Sequence, residues 1–342
     1  MEFATGIALL VAFLIVVVLI VRGQSPIIML LLLAIAWAAI AGIGLHDIQA
    51  KILNDGAVKY ASAIIQIVFG AWFAQVLIQT GIAESVIRSA AELAGDRPLI
   101  TALVINLVTA LLFTGMYGVG AAIAIGVVAL PIMMSQGIPA RVAAPAFTMG
   151  VGAGMYMNPT LFGQLKVLFP GITYEAPWTH FWMVGMGVYI LCAWLLIFFN
   201  LRVLGVRKLA SVDAAAVAQP PRKRTPPYTY LVPLIPVFMV LVLKWEIIPT
   251  FLVCIVLALA LTWRDRSFQG NLNLFNKSFY DAFPDIATIA ALWIICGMII
   301  VAGMTPQVSE ALEKITIGIF SQEVMILARC STSSSIALTA CR

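Results

Sequence analysis

This chain predicts an all-α, polytopic membrane fold, and three observations carry that prediction. Of its 342 residues, 62% are hydrophobic and only 10% are charged, against about 25% charged in an ordinary soluble domain. Apolar runs of the length that a helical crossing needs, about 20 residues, follow one another from Ala4 onward. Two of the runs are interrupted by glycine-rich breaks in place of polar loops. Hydrocarbon offers no water to a free backbone, so successive apolar runs are expected to be helices.

The first run, Ala4 to Val21, reads as a span and not as a secretory leader. Glu2 stands where a leader would be positive, and no small-residue cleavage pattern follows. Further full spans are expected at Pro26 to Ile43, Tyr60 to Thr80, Val142 to Leu168, Trp178 to Leu204, Leu231 to Lys244, Ile248 to Trp263 and Ile286 to Met304. Between Gly81 and Gly95 the pattern changes. Ile82, Val86, Ala90 and Leu93 recur at helical spacing, with Glu84, Arg88 and Glu92 opposite them, which predicts an amphipathic helix lying in the membrane interface.

The stretch Pro98 to Gln136 is too long for one span and has the break Thr114-Gly-Met-Tyr-Gly-Val-Gly120 near its middle. Two short arms fit a re-entrant helical hairpin, and two complete spans joined by a tight turn are the alternative. The stretch Arg207 to Tyr230, with four prolines around Arg222-Lys-Arg224, is the only linker. Positive residues collect on the cytoplasmic side. Placing the linker there puts thirteen Lys and Arg inside and five outside, with the N-terminus outside.

A shift of 226 positions brings Gly44 onto Gly270, Lys51 onto Lys277, Asp55 onto Asp281, Ala61 onto Ala287 and Glu84 onto Glu310. Both halves read span, span, charged connector, span, charged segment, and the odd number of spans per unit inverts one copy against the other, as in many secondary carriers. Residues 1–205 are then the first repeat, 206–230 the linker, 231–328 a partial second repeat and 329–342 a polar Ser/Thr tail. The counterpart of Pro98 to Gly205 is missing. A truncated or frame-shifted second repeat is the expectation, with an ordinary tail as the alternative.

Irregular backbone at membrane depth marks candidate binding sites. At the first break, Thr114, Gly115, Tyr117, Gly118 and Gly120 let backbone N–H groups approach a ligand, and the second arm starts with its positive dipole end, which suits a carboxylate. The second break falls within Phe147 to Thr160, where Gly150, Gly152 and Gly154 precede Asn158-Pro159-Thr160. Glycines there equally serve close helix packing. Thr114, Gly115 and Asn158 are the candidates for a coupling ion. Gln66, Gln75 and Gln79 read as hydrogen-bonding between helices, and Glu175 with His180 as an interfacial pair. No Asp or Glu falls securely inside an expected span.

The hairpin sequence Asn106 to Ile123, closed by Leu130-Pro131 and followed by glycine-rich Thr148 to Thr160, resembles the ion transporter superfamily. That superfamily includes divalent anion/sodium symporters, citrate transporters and gluconate permeases. The resemblance covers the layout from Ala4 to about Ser321, and the region through Glu92 is most similar to the gluconate type. It implies an elevator-type homodimeric carrier in the inner membrane, with hairpin tips and broken helices holding a small carboxylate and a proton or sodium ion. By position, Thr114 to Tyr117 match the tip motif and Asn158 to Thr160 the loop of the broken helix. The tip reads Thr-Gly-Met where the divalent anion symporters have Ser-Asn-Thr, which leaves the coupling ion and the substrate open.

Other classes have less to build on. The net charge of +5 sits in short loops without a continuous stripe, so nucleic acid is not an expected partner. Five cysteines without CxxC pairing and two histidines at span ends give no metal site, cofactor or enzyme centre. No GxxxxGK[ST] phosphate loop is present. A channel would want a continuous polar lining. A fragment that transports nothing is the remaining alternative.

Overall fold

Proline opens several of the helices, because a first-turn residue needs no N–H partner and φ near −65° starts the helical path. In the computed structural model of the protein, Pro26 begins one helix after an extended Ser25, Pro98 begins another after an extended Arg97, and Pro139 precedes a third. Residues 2–95, 97–169, 171–175, 178–203, 225–263 and 267–319 are described. The basic cluster Arg222 to Arg224 and the tract from Arg329 on lie outside them.

The described residues form helices and no strands. They are α1 (Glu2–Val21), α2 (Pro26–Ile40), α3 (Leu45–Gln79), α4 (Ile82–Ala94), α5 (Pro98–Phe113), α6 (Val119–Ser135), α7 (Ala140–Met155), α8 (Pro159–Leu168), α9 (Trp178–Arg202), α10 (Pro227–Leu241), α11 (Ile247–Leu261), α12 (Phe268–Met304) and α13 (Pro306–Ile319). Four of these, α1, α3, α9 and α12, are long and apolar enough to cross a membrane. Helices α2, α5, α6, α10 and α11 are apolar but shorter. Phe3, Ile7, Val11, Leu14 and Val18 of α1 and Phe181, Val184, Val188 and Leu195 of α9 point outward. An apolar face of that extent has a stable place only against hydrocarbon or another protein surface.

Two expected boundaries dissolve. The connectors expected at residues 46–59 and 264–285 are not separate segments: the described residues 46–59 and 268–285 are the first turns of α3 and α12 and lead directly into the following spans. Asp47, Lys51, Asp55 and Lys59 recur every four residues, so they share one face of α3, with Lys51 paired to Asp47 at 3.1 Å. The first of these turns, Ile48–Asp55, is a π-helix. In α12 the helix continues through Pro284, so Asp281 and Asp285 are interior helical residues.

The chain divides into two compact units. The first holds Met1–Ile64, Val167–Gly171 and Ala287–Arg342; the second holds Ile65–Lys166 and Ile172–Ile286. Within the first, α1 packs on α2 and α13, with Leu9, Val308 and Ala311 in one cluster. A close backbone approach there pairs Gly56 with Gly297. A Cβ at Gly297 would lie 2.2 Å from the Gly56 carbonyl oxygen, and one at Gly56 would lie 2.6 Å from Met298 Cα. Gly297→Ala is therefore expected to cost about 1–3 kcal/mol of stability. Gly187→Ala, with nothing within 4 Å of the new methyl group, is expected to cost nothing; thermal melting in detergent compares the two.

Within the second unit, α5 and α7 form the central pair, flanked by α4, α6 and α9. Phe73, Phe113, Phe251, Ile105 and Leu77 are fully or almost fully buried in its core. Helix α4 is amphipathic, but on a shifted face: it buries Ile82, Ala83, Ile87, Ala90 and Ala94, whereas Val86 is half-buried and Leu93, expected on the apolar face, is exposed, and Arg88 pairs with Glu84 at 2.8 Å.

Candidate functional site

Both breaks read from the sequence are breaks in the helices. Helix α5 ends at Phe113 and α6 begins at Val119; α7 ends at Met155 and α8 begins at Pro159. Between α5 and α6 the chain turns through Gly118, whose φ of 116° and ψ of 151° only glycine adopts without strain. Gly115 is required for a different reason. A Cβ there would lie 2.1 Å from the Pro233 carbonyl oxygen, so the tip rests directly on the backbone of α10.

Asn158 joins the two breaks. Its Nδ2 donates to the carbonyl oxygens of Phe113 (2.9 Å) and Met116 (2.8 Å), and its Oδ1 accepts from the Thr160 N–H (2.9 Å). The side chain is fully buried. One amide thus satisfies the orphan carbonyls at the end of α5 and an orphan donor at the start of α8, groups that a helix terminus leaves unpaired. A second tie comes from Gln164, whose Nε2 donates to the Tyr117 hydroxyl at 2.7 Å.

The predicted residues Thr114, Gly115, Tyr117, Gly118, Asn158, Pro159 and Thr160 are all buried, and Gly120 is half-buried. Their roles differ. Thr114 turns its hydroxyl back to the Leu111 carbonyl (2.7 Å), and both Asn158 donors are spent on backbone. Thr160 Oγ1, in contrast, is buried with no hydrogen-bond partner among the described residues. It lies beside Gly70, where an added Cβ would come within 2.6 Å of it and within 3.3 Å of Tyr117 Cβ. Gln66 Oε1 is in the same situation, buried against Gly163 and without a partner among the described residues.

The glycines of α7 serve packing. A Cβ at Gly150 would meet the Asn106 carbonyl oxygen at 2.7 Å, and one at Gly154 the Ala110 carbonyl oxygen at 2.3 Å. Gly152 faces the Tyr189 ring of α9. Small residues four apart let α5 and α7 approach backbone to backbone, which brings Asn158 within reach of Phe113 and Met116.

A carboxylate stands at the N-terminus of α6. Asp285 Oδ2 accepts the Gly120 N–H at 2.8 Å. One turn earlier on α12, Asp281 accepts from Gln79 Nε2 at 2.6 Å, and Ser278 accepts from Trp72 Nε1 at 3.0 Å. Sequence reasoning missed Asp285, because it falls at the last residue of the charged connector expected at 264–285. Lys51, Asp55, Asp281 and Asp285 fall on helices at four-residue spacing, a periodicity that points to helix. Of the expected polar pairs, Gln79 does bond between helices, while Glu175 pairs with Lys244 at 3.1 Å and His180 is exposed. Beyond the C-terminus of α8, Tyr174 donates to the Met157 carbonyl, and burial pushes its hydroxyl pKa above the ordinary value.

No family model matches the chain, and no curated protein matches it.

Proposed function

We propose that the chain is a multi-pass inner-membrane carrier that moves small organic anions, carboxylates foremost, driven by a proton or sodium gradient. The observation that carries this reading is the junction of the two breaks through Asn158, beside a helix N-terminus that already receives a carboxylate. Helix N-termini present unpaired N–H groups and a positive dipole end to an anion, and interrupted helices in a bilayer survive where they are shielded or line a binding site. In this reading α5 and α6 form a re-entrant hairpin, α7 and α8 a broken helix, and the working unit is a homodimer in lipid with its N-terminus outside.

The inverted-repeat part of the reading has its own support. Adding 226 carries Leu45–Gln79 onto 271–305, beside the observed Phe268–Met304, and Ile82–Ala94 onto 308–320, beside Pro306–Ile319. The same shift relates contacts. It takes the close pair Gly56 and Gly297 to positions 282 and 71, where Ala282 and Ala71 share a buried cluster.

Uptake of labelled gluconate, succinate and citrate into proteoliposomes with imposed proton or sodium gradients tests the reading. Accumulation of at least one of them above the level of protein-free vesicles, abolished by collapsing the gradient, is expected. Equal uptake with and without either gradient, for all three anions, removes the carrier assignment.

A further inference from the structure

Gly120 is the second residue of α6, and its N–H is one of the donors that a helix start leaves without a partner. An N-terminal cap residue would ordinarily supply the acceptor from its own side chain. Here the cap position is Gly118, which has none. The acceptor comes instead from Asp285, 165 residues further along the chain. The turn is shaped around that carboxylate. A Cβ at Gly120 would fall 2.2 Å from Asp285 Oδ2, and one at Gly118 would fall 3.4 Å from it.

A second, independent feature lies at the same tip. A Cβ at Gly118 would lie 3.9 Å from Ala71 Cβ, and one at Gly70 would lie 2.6 Å from the unpartnered Thr160 hydroxyl and 3.3 Å from Tyr117 Cβ. A fully buried hydroxyl with no partner among the described residues thus lies against Gly70, the residue before the alanine that Gly118 approaches. Leaving such a group unpaired is costly. Asp285 itself is only half-buried, and Pro284 before it removes one backbone N–H from that turn of α12.

We propose that Asp285 is a tethered stand-in for the substrate: its carboxylate occupies the anion position at the start of α6, and a free carboxylate binds there only when Asp285 withdraws. The inference rests on the carboxylate reading of the tip and adds a competitor to it. Substrate entry and Asp285 departure are then one exchange, in which one carboxylate replaces another on the same N–H. The chain's own acid sets how tightly a free one is held.

Acetate, the smallest analogue of the aspartate side chain, is the probe. Thermal melting of the full chain in detergent is followed against acetate concentration, with chloride at matched ionic strength as control. A ligand that binds only the folded state raises the melting temperature in proportion to its occupancy. Asp285→Ala is expected to melt lower than wild type without acetate and to be stabilised by it, with an apparent affinity at least about tenfold tighter than wild type. Asp285→Asn, which keeps an acceptor for Gly120 but no charge, is expected to fall between them. An equal response of wild type and variants, or none in any of them, reduces Asp285 to a structural cap and overturns the proposal. Should the alanine protein fail to fold, the isosteric asparagine protein against wild type gives the same decision. Gradient-driven uptake by the wild type is scored separately, so a failure of the transport reading appears there and leaves the acetate comparison intact.

Discussion

Asn158→Ala is expected to destabilise the protein by on the order of 3–6 kcal/mol, the largest effect of any single substitution at the two breaks. The asparagine side chain makes three buried hydrogen bonds, two to carbonyls and one to an N–H. Truncation leaves all three backbone groups without a partner, and each orphan costs about 1–3 kcal/mol, with incomplete additivity. Asn158→Asp sharpens the test. It preserves shape and the acceptor for Thr160, yet turns an oxygen toward the Phe113 and Met116 carbonyls, so it is expected to be at least as damaging as alanine. Thermal melting in detergent and protease resistance of the 113–118 segment measure both. Wild-type stability in either protein removes Asn158 from the role of joining the breaks and returns it to the pool of pure ligand-binding candidates.

Gly154→Ala is the second large effect, expected at about 1–3 kcal/mol or more because a rigid neighbour cannot yield. The new methyl group would stand 2.3 Å from the Ala110 carbonyl oxygen and 2.8 Å from Phe113 Cβ, one of them backbone and the other the root of a side chain. To admit it, α7 must retreat from α5, and Asn158 retreats with it. Gly152→Ala meets the Tyr189 ring at 3.1–3.2 Å, the far end of a side chain that can rotate away. Its penalty is therefore expected to be clearly smaller. Melting temperatures and gradient-driven uptake for the pair give the ranking, and a larger loss at Gly152 would contradict the α5–α7 contact described above.

The parts of the site that were legible in the sequence are those whose causes are local. Gly118 and the Asn158-Pro159 step interrupt helices through their own backbone preferences, so their neighbours in sequence suffice to reveal them. The amphipathic face of α4 was legible in part for the same reason: spacing alone puts Ile82 and Ala90 on the buried side, but it also puts Leu93 there, which is exposed. What escaped depends on partners far along the chain. Nothing near Asp285 announces Gly120, and nothing near Gly115 announces Pro233. Charge also misled. Residues 46–59 stand apart as a connector because they carry charge, although the four-residue recurrence of those charges is a helical period that continues into the span. The division of labour among the glycines of α7 required coordinates, since packing and ligand approach both demand a missing side chain.

The clamp made by Asn158 has a mechanical consequence. A hairpin tip and a helix interruption tied by two carbonyl contacts and one amide contact are a single part, not two. Any rearrangement of the tip that keeps these hydrogen bonds must carry both pieces as one body, with its contact to α10 at Gly115 and Pro233 as the place where the backbone of another helix is nearest. Spectroscopic labels placed on residues 119 and 161 are then expected to keep one separation in wild type and to lose it in Asn158→Ala.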